Sequence, residues 1–72
     1  MSVSISKTEH ISIREQEVLE LTSYEKTSKE IAADLFISPH TVISHRKNLM
    51  AKLGAKNMAG LVRRGFELGL LH

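Results

Sequence analysis

Capping residues cut this chain into four short helices, and that punctuation constrains the fold more than any other feature. At "SIRE", Ser12 to Glu15, the serine hydroxyl is placed to accept from the Glu15 amide while the Glu15 carboxylate reaches back. The same capping box recurs at "TSKE", Thr27 to Glu30. A third start lies at Ser38-Pro39, a capping hydroxyl followed by a proline at the first helical position, where the missing N–H costs nothing. Asn57 caps a fourth helix. Gly54 and Gly69 are natural stops, because glycine enters the left-handed conformation that closes helix ends. The predicted helices cover about 13–24, 28–35, 39–53 and 57–68. No segment shows the alternation of a strand, so the expected class is all-α, a compact four-helix domain with a central helix-turn-helix.

Seventy-two residues make one small domain. Residues 1–10, "MSVSISKTEH", show neither helical period nor turn chemistry and are expected to form a flexible tail, leaving 11–72 as the folded part. Cysteine is absent, which excludes disulfides, zinc-thiolate sites and thiol nucleophiles. No run is long or apolar enough for a membrane span, and no signal-peptide core is visible. The expected location is cytoplasmic. Net charge is +2, but it is unevenly spread. Residues 1–37 carry four Lys or Arg against seven carboxylates, whereas residues 38–72 carry six against one. A basic half joined to an acidic half fits a polyanionic partner docked on one side, or else a solvated charged surface.

The third predicted helix carries the chemistry. Spacing successive residues by about 100° brings Val42, Leu49 and Leu53 together as a core stripe. His40, Ser44, Lys47 and Ala51 gather on the opposite side, with Ile43 at its edge, open to either environment. Thr41, His45 and Asn48 flank one side; Arg46 and Met50 flank the other. The link "FIS" is short enough for the sharp crossing of a helix-turn-helix, in which the second helix enters the DNA major groove. Base edges there call for a cation or amide at guanine or adenine and an apolar group at the thymine methyl. Lys47 suits the first role and Ile43 the second. Ser38, Thr41 and the helix N-terminus offer donors to phosphate.

These segments resemble the LuxR-type, or GerE/NarL-type, DNA-binding domain of bacterial transcription regulators. The resemblance rests on "ISIREQEVLEL", "TSKEIAADLFISPHTV", "SHRKNLMAKLGAKN" and the closing "GLL", in order and without gaps from Ile11 to Leu71. It implies a recognition helix at 39–53, with Ile43, Ser44 and Lys47 at base-reading positions and Lys29 near the DNA backbone. It also implies a dimerisation helix at the C-terminus. Three residues depart from the family pattern. Ile43 replaces a common lysine, favouring a thymine-methyl contact. Glu25 replaces the glycine that usually ends the first helix, implying a looser turn. Met58 replaces a common arginine, implying a loosened surface ion pair.

The expected function is sequence-specific regulation of transcription on double-stranded DNA, with RNA polymerase as a further partner. The expected DNA-contacting set is Lys29, Ser38, His40, Thr41, Ile43, Ser44, Arg46, Lys47 and Lys52. In the last predicted helix, Met58, Val62, Gly65 and Gly69 form a stripe, edged by Ala59 and Phe66 and by Leu61 and Leu68. That spread of about 180° exceeds what a core-facing helix needs. Leu61, Phe66 and Leu68 are therefore candidate homodimer contacts, the alternative being a greasy helix that closes its own core. His40 and His45 lie five apart and miss the spacing of a helical metal pair. No nucleophile, phosphate loop or cofactor motif is visible, so the chain is not expected to be an enzyme or to hold a cofactor. Two rivals remain: a sigma-factor-like promoter-binding module and a helical protein-interaction module.

Overall fold

Each capping signal starts a helix where the sequence predicts one. The computed structural model describes residues 11–72, so the expected tail at 1–10 lies outside the described residues. Its helices are α1 (Ile13–Ser23), α2 (Ser28–Leu35), α3 (Pro39–Leu53) and α4 (Met58–Glu67). The described residues contain no strand. Both capping boxes form reciprocally. The Glu15 amide donates to Ser12 Oγ at 3.0 Å and the Ser12 amide to Glu15 Oε1 at 3.0 Å. The Glu30 amide donates to Thr27 Oγ1 at 3.1 Å and the Thr27 amide to Glu30 Oε1 at 2.9 Å. Ser38 Oγ accepts from the Thr41 amide, and Asn57 Oδ1 from the Gly60 amide.

All four helices also stop in one way: a residue turns left-handed, and the next amide donates to a carbonyl five positions back. Gly54 and Gly69 do this without steric cost. Glu25 and Phe36 do it as ordinary L-residues, at φ 65° and 59°. The Glu25 amide bonds the Thr22 carbonyl at 2.9 Å and the Lys26 amide the Leu21 carbonyl at 3.4 Å, both bonds of a Schellman closure. The looser turn implied by the missing glycine is therefore not found. The chain keeps the tight turn, and Glu25 bears the strain.

The core is Val18, Leu19, Ile31, Ala32, Val42, Leu49, Leu53, Leu61 and Leu71. It draws on every helix, and α3 packs against the other three. The predicted stripe of α3, Val42, Leu49 and Leu53, is its buried face. In α4 the buried residues are Leu61 and Gly65, so the core stripe is centred one edge away from the predicted one. The returning chain explains this. A Cβ on Gly65 would fall 2.7 Å from Leu71 Cδ1, so the bare backbone there is what lets Leu71 fold back into the core. Leu70 and Leu71 amides both donate to the Gly65 carbonyl, holding that return in place.

Candidate nucleic-acid interface

With its rear stripe buried, α3 presents His40, Thr41, Ile43, Ser44, Lys47, Asn48 and Ala51 on the outside. Ile43 is 43% exposed, which settles the choice left open by the helical wheel: it belongs to the outer face. The Ser38 hydroxyl accepts the Thr41 amide and lies 2.9 Å from Thr41 Oγ1, so the two hydroxyls share one cap at the start of the helix. Lys29, in the first turn of α2, is exposed as well.

The electrostatics separate two kinds of cation. The ion pairs formed among the described residues are Arg14–Glu17, Lys26–Asp34, Lys52–Glu15, Arg63–Glu67 and Arg64–Glu67. Lys29 and Lys47 take part in none of them. No carboxylate occurs anywhere in α3. The outer face of α3 therefore carries a lysine outside these ion pairs and no carboxylate of its own, the charge a polyanion requires.

Two expected phosphate ligands also bond within the domain. Arg46 points back into the domain. Its Nε donates to Thr22 Oγ1 at 3.1 Å, Nη1 to Ser28 Oγ at 2.8 Å and Nη2 to the Lys26 carbonyl at 2.9 Å. Burial lowers its pKa, and the guanidinium still carries its charge. Three of its five N–H groups thus donate inside the domain. Lys52 Nζ lies 2.8 Å from Glu15 Oε1, so it bonds to the first capping box while its residue stays exposed. Glu15 is buried, which alone would raise its pKa. Hydrogen bonds from Lys52 and the Ser12 amide, with the charges of Lys52 and His45, outweigh that and hold it below its ordinary value.

The expected dimer residues also divide. Leu61 has 0% exposure and is a core residue, so its placement at a subunit contact is corrected: a side chain with no free surface has nothing to offer a second chain. Leu68 is half-buried against the core. Phe66 is 51% exposed and stands free of the core. Met58 is half-buried and lines a groove with Thr22, Lys26, Arg46, Ala59 and Val62.

Sequence reasoning missed the acceptors of Arg46. Thr22, Lys26 and Ser28 lie 24, 20 and 18 positions away, and no local pattern joins them. Asn48 was placed on a flank and given no role, although its exposure one turn beyond Ser44 was legible from helical spacing.

Two helices joined by a three-residue turn, the second with a packed rear and a basic, carboxylate-free front, define a helix-turn-helix nucleic-acid-binding domain. Comparison with known proteins narrows the class. The family "Bacterial regulatory proteins, luxR family" matches residues 9–64, and this chain belongs to it. The spore germination protein GerE of Bacillus subtilis is 48% identical over 58 residues, covering 81% of this chain and 78% of that protein. The transcriptional regulatory protein UhpA of Escherichia coli is 50% identical over 54 residues, covering 75% of this chain but 28% of that protein. The solved structure of the transcription factor GerE superposes with a TM-score of 0.81 at 31% identity, covering 85% of this chain and 91% of that one. The chain is thus a sequence-specific DNA-binding domain of a transcriptional regulator, a regulatory module and not an enzyme. Among the described residues no helix is long and apolar enough to cross a membrane.

Proposed function

We propose that α3 lies in the major groove of double-stranded DNA and reads base edges through Ile43, Ser44, Lys47 and His40, with Asn48 added to that set. Lys29, Thr41 and the Ser38-capped start of α3 meet phosphates on either side. The observation that carries this reading is the exposed, carboxylate-free face of α3, on which Lys47 stands without an ion-pair partner among the described residues. Lys47 supplies the strong contact, as a cation at guanine N7/O6, and Ile43 the apolar contact at a thymine methyl. Ser44 and Ala51 are small enough to let the helix approach closely.

The protein works as a homodimer, cytoplasmic, with RNA polymerase as its downstream partner. The Phe66 side of α4 forms the two-fold contact, because Ala59 and Phe66 leave apolar surface outside the core. Two copies so arranged read half-sites about one helical turn apart, roughly 10 bp centre to centre.

Lys47→Ala tests the reading. On a duplex selected by the wild-type chain from a randomised pool, it is expected to lose about 1–3 kcal/mol of specific binding and relax selection at one base position. Binding by the wild-type chain should also fall steeply with salt as counterions are released. Equal binding of every sequence by wild type and Lys47→Ala, or binding indifferent to salt, refutes it.

A further inference from the structure

Arg46 and Lys47 are neighbours in sequence and point in different directions. Lys47 is exposed on the front of α3, whereas Arg46 reaches behind it and touches three separate segments. Those segments are the last turn of α1 at Thr22, the connecting loop at the Lys26 carbonyl and the first residue of α2 at Ser28. We propose that Arg46 is a positioning residue for DNA reading, fixing the first turn of α2, and with it Lys29, at a set distance from the reading face of α3. The inference rests on the DNA-binding reading above.

Three features support it. First, the contact adds a tie at the start of α2, where the core does not reach. Between α1 and α2 the chain turns through the left-handed Glu25, and α2 is only eight residues long, with its buried residues Ile31 and Ala32 at its middle. Its first turn is left to caps and surface bonds. Arg46 supplies one, bonding Ser28 one residue before Lys29.

Second, only a guanidinium fits. Three donors in a rigid planar fork meet three oxygens that belong to three different segments. A lysine ammonium carries the same charge but is a point donor on a flexible stem, and it cannot span the three.

Third, charge pairing does not explain the arrangement. All three acceptors are neutral oxygens, and the guanidinium lies between the last turn of α1, whose dipole end favours a cation, and the first turn of α2, whose dipole end disfavours one. A guanidinium kept in such a place is held for its geometry. Lys29 and Lys47 are then two points of one template, with Arg46 as the spacer behind them.

The test is a double-mutant cycle of Arg46→Lys and Lys29→Ala. Binding is measured on the duplex that the wild-type chain selects from a randomised pool, and on poly(dI-dC) as non-specific duplex. Measurements are made well below the melting temperature of every variant. Arg46→Lys keeps the charge, so a direct phosphate contact would survive it. A positioning role predicts about a tenfold loss on the selected duplex and a smaller loss, up to about fivefold, on poly(dI-dC), where only the phosphate contact of Lys29 is affected. Lys29→Ala is expected to cost about fivefold in the wild-type background and less than about twofold beside Arg46→Lys, because the contact it removes is already lost.

Ser28→Ala, which deletes one acceptor and leaves the core untouched, is expected to cost about twofold to threefold on the selected duplex, so the proposal stays testable if Arg46→Lys folds poorly. Wild-type affinity of Arg46→Lys for the selected duplex, or losses that simply multiply in the double variant, would overturn the inference while leaving DNA reading intact. A wild-type chain that selects no duplex would overturn both.

Discussion

Glu25 occupies a backbone conformation built for glycine, and the cost of that choice is measurable. Its φ of 65° brings the Cβ against the neighbouring carbonyl, which costs an L-residue about 1–2 kcal/mol. Replacement by glycine relieves this but adds about 0.5–1 kcal/mol of chain entropy to be lost on folding. Taken near the middle of each range, the net expected gain is about 0.5–1 kcal/mol. In a domain of this size that raises the melting temperature by roughly 2–8 °C. Glu25 also carries a charge, so the informative comparison is Glu25→Gly with Glu25→Ala. Both remove the carboxylate, and only the first removes the Cβ. Thermal unfolding followed by circular dichroism, at one protein concentration, gives the difference directly. If Glu25→Ala melts at or above Glu25→Gly, the strain assigned to this turn does not exist.

Three further perturbations bear on other parts of the structure. Leu61→Ala is expected to cost about 2–4 kcal/mol of folding stability in chemical denaturation and Phe66→Ala less than about 1 kcal/mol, since the first opens the core and the second trims a half-exposed ring. Glu15 titrates below its ordinary value of 4.5 when folded, so its stabilisation is complete above that pH and is lost as pH falls through the folded value. Acid unfolding of Glu15→Gln should accordingly show a shallower dependence on pH below about 4.5, by urea midpoints measured across that window. Gly65→Ala places a methyl 2.7 Å from Leu71 Cδ1 and 3.0 Å from Leu71 Cγ. The overpacking, about 1–3 kcal/mol, exceeds the gain in helix propensity of about 1 kcal/mol, so a lower melting point is expected.

How much of this was legible in the sequence depends on how local each cause is. The helix starts were fully legible, because each cap involves residues three apart that announce themselves by type. Two of the four stops were legible as Gly54 and Gly69. The ends of α1 and α2 were legible near Tyr24 and after Leu35, but the left-handed residues that make them were not: closure of the turns puts Glu25 and Phe36 in a conformation that their own side chains disfavour. Phe36, 94% exposed in the turn between α2 and α3, follows from no local rule.

The front of α3 was legible from helical spacing. The contrast between Arg46 and Lys47 was not, because two adjacent cations look equivalent until α1 and α2 bring oxygens to one of them. Leu61 was misplaced for a similar reason. A helical wheel finds a greasy sector but not its centre, and here the centre is decided by Leu71 returning over a glycine. Chemistry within one turn of helix could be read, and chemistry assembled from distant segments could not.

The last turn of the structure has a mechanical consequence. Gln16 Nε2 donates to the Leu70 carbonyl at 2.7 Å, and Ile11, Ser12 and Leu70 line one shallow hollow, so residues near the two extremities of the described chain meet at one seam. Tension applied through both extremities would peel that seam open bond by bond instead of shearing several helices at once. The tether between α1 and the strap after α4 would yield first, at low force, while the wedge of α3 stayed bedded against α2.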